Sequence, residues 1–596
     1  MSGNCCATKA EVPLVRQAIK ELLQKRTYIE SRVELFKILL DDLHRQLDNV
    51  NEDIRSHHLY IYGIHSLPPE LIQKIFFFCL PSTNCAMVAT EAPLVLTRVC
   101  RQWREAALST PELWSRLHIS VPLQDLGVED KNNGVMVRYG QAITTWLDRS
   151  GNLPLSISFI DDRSSYLQLD YEETAHSSIS DSYILGVIAS FSHRWAHINL
   201  NIAYHHLHIL AHLTETDVPL LRKIQIEILR YHGTDSALGQ SLPLLRAPSI
   251  KEISFWNGWS SAALSSLATR WENLSTLSII STEYRNTELF MDTAATVLNR
   301  CQNLVKCHIQ MRSRIPVDDF NLPEPLQLAP IELLHLQELR VRFDGVALEQ
   351  DITAFFHALV VPEIRHLELR RHQPQALQQL PFMPLLLRPH KIDTMSFVAD
   401  GCTMECLLDF LRSIPSLRRL ALHSPLNVTP HSWLPFPLTP TAPPQDLEYV
   451  RLNEVVLNHL TPNLPLDDSE SDSSTALCPS LEEIEFRFSP DVVVSDDAII
   501  RFLRSRTTLA PEGVARLTNA SFFLKRAVEN SSSKIHPEMR PERETGLNLN
   551  MSYYSQRWID RLTNIYPIFT PFREIRVSEP YDDWKPRFMP GMFEYD

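Results

Sequence analysis

Leu417-Arg418-Arg419-Leu420-Ala421-Leu422 is an apolar-x-x-apolar-x-apolar run, and the same run returns along most of the chain. Before it, copies start at Leu221 (with Ile224 and Ile226), Ile250 (Ile253, Phe255), Leu274 (Leu277, Ile279), Leu304 (Cys307, Ile309), Leu336 (Leu339, Val341), Ile364 (Leu367, Leu369) and Ile392 (Met395, Phe397). After it come Leu447 (Val450, Leu452) and Leu481 (Ile484, Phe486), with successive starts 24–34 residues apart. Trp195 with Ile198 and Leu200 reads as an earlier copy, and Phe572 with Ile575 and Val577 as a late one. Apolar residues two apart, with polar residues between, mark a strand that buries one face. The rest of each unit has room for a return segment, as in the helix-like run Leu407, Leu408, Phe410, Leu411. A unit of this size cannot close its own core, so units stack side by side. The expected fold class is α/β: a solenoid with a parallel sheet on the concave side and helices outside. An α/β domain of unrelated short strands is the alternative.

Towards the N-terminus the period changes. Val12, Val15, Ile19, Leu22, Arg26, Ile29, Val33, Phe36, Leu40, Leu43, Leu47, Val50 and Ile54 alternate in steps of three and four. This is a heptad stripe on one long helix, interrupted only by Arg26. Within the expected helix 12–58, residues 12–55 alone would extend roughly 65 Å, and such a helix needs something beneath it to be stable. Self-association through residues 12–54 is one solution. Packing on its own chain is the other.

Between helix and repeats lies Ser66-Leu67-Pro68-Pro69-Glu70-Leu71-Ile72-Gln73-Lys74-Ile75-Phe76-Phe77-Phe78-Cys79-Leu80. Proline suits the first turn of a helix, and Leu71, Ile75 and Phe78 then share a face, with Phe76 close by. Pro93 can open a second helix carrying Leu94, Leu96, Val99, Cys100 and Trp103, and Pro111-Glu112-Leu113-Trp114 forms a third short unit. This segment, 64–119, resembles the F-box domain in the divergent form common in large fungal families. The motif residues are Leu67, Pro68, Glu70, Leu71, Ile75 and Phe76; then Val99, Cys100, Arg101, Trp103 and Arg104; then Pro111, Leu113 and Trp114. The loop Pro81 to Ala92 is longer than in compact members and puts the docked surface in question. The resemblance implies that the module binds the Skp-family adaptor of a cullin–RING ubiquitin ligase, with Leu67, Pro68, Leu71 and Ile75 in contact. Val99, Cys100, Trp103, Leu113 and Trp114 would serve the core or the interface, and Trp103 and Trp114 stay open between the two. The repeats, 120–527, more loosely resemble the irregular leucine-rich repeats found behind F-boxes in such adaptors. The usual Asn or Cys after the strand is mostly absent from them.

The implied role is substrate recognition in an SCF-type ligase, by proximity rather than by catalysis. The alternatives are a non-degradative scaffold and a repeat-containing hydrolase. Lys251, Lys306, Arg340 and Arg370 are candidates for the substrate face. The net charge of 57 − 71 = −14 gives no general attraction for nucleic acid or acidic lipid. Only 15 Gly and no phosphate-loop, Gly-x-Ser-x-Gly or His-Glu-x-x-His pattern argue against a cofactor or an enzyme site. The histidines at 205, 206, 208 and 212 lack converging ligands for a metal. With no signal-peptide core and no membrane-length apolar stretch, the expected location is cytosol or nucleus, unless Cys5 and Cys6 are lipidated. Residues 1–11 are expected to be flexible. Loops are expected at 161–180, at the proline-rich 425–446 and at the acidic 465–476, where Ser469 or Ser471 would be phosphorylatable. A further flexible insertion is expected at 528–550, and a C-terminal strand and cap at 551–596.

Overall fold

The computed structural model describes residues 12–62, 67–121, 129–160, 178–203, 206–229, 242–280, 289–314, 326–343, 349–371, 380–399, 402–424, 452–462, 477–488, 492–524 and 534–553. The expectations for 1–11, Ser469, Ser471 and the repeat at Phe572 therefore lie outside the described residues, as do loops 425–446 and 465–476. The chain divides into two compact units. One comprises residues 1–80 with 89–113, and the other 81–88 with 114–596.

The second unit is a parallel-sheet solenoid. Its strands are β1 (Arg116–Ser120), β2 (Leu155–Ile160), β3 (Trp195–Ala203), β4 (Lys223–Leu229), β5 (Glu252–Trp256), β6 (Thr276–Ile280) and β7 (Lys306–Met311). They continue as β8 (Ile331–Glu332), β9 (Glu338–Phe343), β10 (Leu359–Val360), β11 (His366–Arg371), β12 (Thr394–Val398), β13 (Arg419–His423), β14 (Glu483–Arg487), β15 (Asn519–Leu524) and β16 (Asn548–Tyr553). All but β8 and β10, which pair with each other, form one fourteen-stranded sheet in chain order. Parallel neighbours require a crossover between them, and the return segments supply it.

The register lines up equivalent positions of the repeat. Leu339 faces Leu367, Met395 faces Leu420 and Leu420 faces Ile484 across neighbouring strands. These side chains are fully buried or nearly so. The return helices cover them. Phe397 on β12 meets Phe410 of the helix Met404–Ser413 at 5.0 Å between ring centroids, and Phe486 on β14 meets Phe502 of Asp496–Ser505 at 6.1 Å. Side chains of intervening residues project from the opposite face of the sheet.

Two expectations change, and the copy expected at Leu447 falls outside the described residues. β13 pairs directly with β14, Arg419 facing Glu483. Residues 447–451 lie outside the described residues, and Leu452 is a buried lead-in to the helix Glu454–Leu460. Within the expected insertion 528–550, residues 534–550 instead carry two short helices and the first half of β16, which pairs with β15. The sheet also begins earlier than residue 120. In register with β2, Leu117 faces Ile157 and Ile119 faces Phe159, so Trp114 holds the first apolar position of the first repeat.

The first unit contains the long helix α1 (Val12–Tyr62), α2 (Pro69–Cys79) and α3 (Arg101–Leu108). On α1 the stripe is bare: Ile19, Ile29, Phe36, Leu40, Leu47 and Ile54 are each about half exposed.

Candidate docking module and sheet face

α2 starts as its two prolines dictate. Pro68 is the N-cap and Pro69 the first helical residue, while the Pro68 carbonyl accepts the amides of Leu71 and Ile72 at 3.0 and 3.2 Å. Glu70 in the first turn favours the positive end of the helix dipole. Ile72 and Phe76 are buried, and the Phe76 ring meets Trp103 of α3 edge-on at 5.0 Å. On the outer side Pro68, Leu71, Phe77 and Phe78 are exposed, Phe78 to 82 %, and Leu67 and Ile75 are half-buried. The four residues assigned to adaptor contact thus remain accessible. Phe77 completes the outer apolar side, and it was not singled out because it adjoins the core residue Phe76.

The expected second helix is divided. Leu96–Arg98 forms a 3₁₀ turn, and Cys100 then takes an extended backbone and caps α3, its Sγ accepting the amide of Trp103 at 3.4 Å. Val99 is exposed, Cys100 and Trp103 are half-buried, and Leu113 is fully buried. Trp114 is fully buried on the solenoid side of the division. Its ring lies 4.8 Å from Trp146 of α4 (Glu129–Arg149), with the Arg149 guanidinium 4.6 Å from its centroid. That leaves Trp114 no surface to offer a partner.

The second candidate surface is the sheet face opposite the helices. Across β7, β9 and β11 the charges link in series. Lys306 Nζ lies 3.5 Å from Glu338, which lies 2.8 Å from Arg340 Nε, which in turn lies 3.6 Å from Glu368; Glu368 also pairs with Arg370. Arg340 and Glu368 are nearly buried. Burial alone would raise the Glu368 pKa, but Arg370 and Arg340 outweigh it and hold the group at about 2. His308, which faces Arg340 across the strands, is pushed down to about 3 by burial and by Arg342. His423 is also lowered, by burial and by Arg487 and Arg370, and its Nε2 is 3.2 Å from Ser396 Oγ. Both rings are neutral at physiological pH.

Of the four candidate basic residues, the structure joins Lys306, Arg340 and Arg370 in this one network. Lys251 stands apart. It precedes β5, is exposed, and its Nζ donates to the Asn273 carbonyl at 3.4 Å. The outward positions of β7, β9 and β11–β14 hold six cations (Lys306, Arg340, Arg342, Arg370, Arg419, Arg487) against four carboxylates (Glu338, Glu368, Glu483, Glu485). Arg342 faces Arg370, and Arg487 faces His423.

Among the described residues, no three His, Cys, Asp or Glu side chains could together hold a metal ion, and no helix is long and apolar enough to cross a membrane. A family model described as F-box-like matches residues 64–120. No curated protein matches the chain. The chain thus combines an F-box-like region with a parallel-sheet solenoid of repeat type, an arrangement consistent with a ubiquitin-ligase-associated adaptor.

Proposed function

We propose that the chain is the substrate-recognition adaptor of an SCF-type cullin–RING ubiquitin ligase. The F-box-like module would bind the Skp-family adaptor and the solenoid a protein substrate. The observation that carries this reading is the family match over 64–120, which includes α2 with Leu71 and Phe78 left exposed. An exposed apolar strip on a small helical unit is a surface suited to a partner. The chain's part would be to hold the substrate near ubiquitin carried elsewhere in the assembly.

The sheet face supports the second half of the reading. Its excess of cations, in a chain of net charge −14, favours a substrate segment rich in carboxylates. Arg342 and Arg370 are cross-strand neighbours on that face, so a carboxylate-rich segment would meet two guanidinium groups at once.

The test is affinity capture from the source cell with wild type, with Leu67→Ala plus Pro68→Ala, and with Phe78→Asp. Circular dichroism first establishes that each variant is folded. Recovery of the Skp-family adaptor and cullin by wild type alone supports the proposal. Failure of folded wild type to recover either one overturns it and leaves a non-degradative scaffold. Arg342→Glu should keep the adaptor while losing acidic co-purifying proteins.

A further inference from the structure

The stripe on α1 requires a partner. Its side chains from Val15 to Ile54 are all exposed, Arg26 included. The heptad positions, sequence order and charges together specify what fits. We propose that α1 pairs with α1 of a second copy of this chain as an antiparallel two-stranded coiled coil, centred between Val33 and Phe36.

The argument turns on Arg26. Counting Val12 as position a of the heptad, Arg26 is also an a residue and Phe36 a d residue. In a parallel, in-register pair a meets a, so Arg26 would face Arg26 of the second copy inside the seam. The flanks would set Arg32 beside Lys37, a second repulsion, against one favourable pair between Lys25 and Glu30. An antiparallel pair sets a against d. Centred as proposed, Val33 meets Phe36, and Arg26 meets Leu43, whose aliphatic surface its stem can cover while the guanidinium reaches the edge. Glu30 then flanks Lys37 of the second copy, and no like charges oppose each other along the flanks, whereas the parallel pair sets its attraction against a repulsion. Within one helix Arg26 lies 3.4 Å from Glu30 and Lys37 the same distance from Glu34. These are highly exposed pairs, each worth little alone, so they do not compete strongly with contacts across the seam.

The overlap in this register runs over residues 12–57, nearly the whole of α1. Covering the twelve apolar stripe residues would bury on the order of 1,000 Å² per helix, an area typical of a stable dimer. A lone helix about half of whose stripe area meets water gains nothing comparable. The dimer would carry two docking modules and two sheet faces. The proposal does not depend on ligase binding.

The test uses the full chain. Light scattering after gel filtration should give a mass near twice 68.5 kDa at micromolar concentration. Ile29→Glu plus Leu40→Glu should return the mass to that of one chain, with the far-UV spectrum of the solenoid unchanged. A monomeric wild type overturns the proposal, as does a dimer indifferent to this double substitution. Orientation is read by oxidation of two differently tagged copies, Arg26→Cys mixed with Leu43→Cys, each measured against the parent chain. Covalent heterodimers in severalfold excess over the Arg26→Cys homodimer are expected. A homodimer formed as readily would mean parallel strands and overturn the orientation.

Discussion

Replacing Glu368 by Gln preserves its shape and removes the one negative charge between Arg340 and Arg370. The carboxylate titrates at about 2 in the folded chain, against an ordinary value of 4.5. Each pKa unit corresponds to about 1.4 kcal/mol, so ionised Glu368 stabilises the fold by roughly 3 kcal/mol at neutral pH. The sign follows from the depressed value. The stabilisation is full above the unfolded pKa, near 4.5, and is lost as pH falls towards 2. Because each repeat touches only its neighbours, the loss should be concentrated locally. Amide exchange in β9, β11 and β12 is therefore the assay, run beside urea unfolding at several pH values. At pH 7, Glu368→Gln should speed exchange in these strands by about a hundredfold, consistent with roughly 3 kcal/mol, and leave β2–β4 unchanged. Below pH 4 the difference from wild type should shrink. A difference under about 0.5 kcal/mol at pH 7, or one that does not change between pH 7 and pH 3, would refute the reasoning, since an exposed pair behaves that way.

Two further predictions concern groups buried in the solenoid. Arg506 has no exposed surface and donates to the carbonyls of Leu460 (2.9 Å), Leu477 (2.5 Å) and Cys478 (3.0 Å); Arg506→Met strands all three and should cost about 3–5 kcal/mol in chemical unfolding, with Arg506→Lys recovering only part, because an ammonium cannot span the same fork. His308 titrates at about 3 in the folded chain, so the unfolded chain takes up its proton first and stability falls as pH drops from about 6.5 towards 3; His308→Gln should flatten that part of the profile, and proton NMR should find the wild-type ring neutral down to about pH 4.

The solenoid was legible because buried strand positions repeat two apart. Ten of the strands in the large sheet coincide with the periodic copies read from sequence, those at Trp195, Leu221, Ile250, Leu274, Leu304, Leu336, Ile364, Ile392, Leu417 and Leu481. β1 escaped because the Trp114, Leu117 and Ile119 of its repeat overlap the F-box-like motif, and β15 and β16 because each repeat carries one small residue at an apolar position. In register with Leu517, Ala520 and Phe522 of the β15 repeat, the β16 repeat has Gly546, Leu549 and Met551. Alanine and glycine fill strand positions without announcing them. The charged network was less legible still. Lys251, Lys306, Arg340 and Arg370 sit at four different offsets within their repeats, so inspecting them singly hides their relation. Glu368 connects two of them and was overlooked. The signal lay in the register: Arg340 and Glu368 occupy the same offset in adjacent repeats, which makes them cross-strand neighbours.

The same register shows why the docking module cannot be cut where the family match ends. The F-box-like match runs to residue 120, but Trp114, Leu117 and Ile119 are fully buried in the first rung of the solenoid. Leu117 and Ile119 lie in register with Ile157 and Phe159 of β2, and Trp114 lies against Trp146. A fragment ending at 120 would keep β1 without its neighbour, leaving an unpaired strand edge and three large apolar side chains exposed to water. A fragment of residues 12–120 should therefore aggregate or bind a hydrophobic dye strongly, while one of residues 12–203, which retains α4, β2 and β3, should do so far less. Trp114→Ala separates the causes, since it removes the largest exposed side chain while leaving the strand edge of β1 intact. Improved solubility of the shorter fragment on that substitution would assign the fault to the exposed indole. Equal solubility of the two unsubstituted fragments would mean that β1 belongs with the docking module, and the division of the chain between Leu113 and Trp114 would have to be moved.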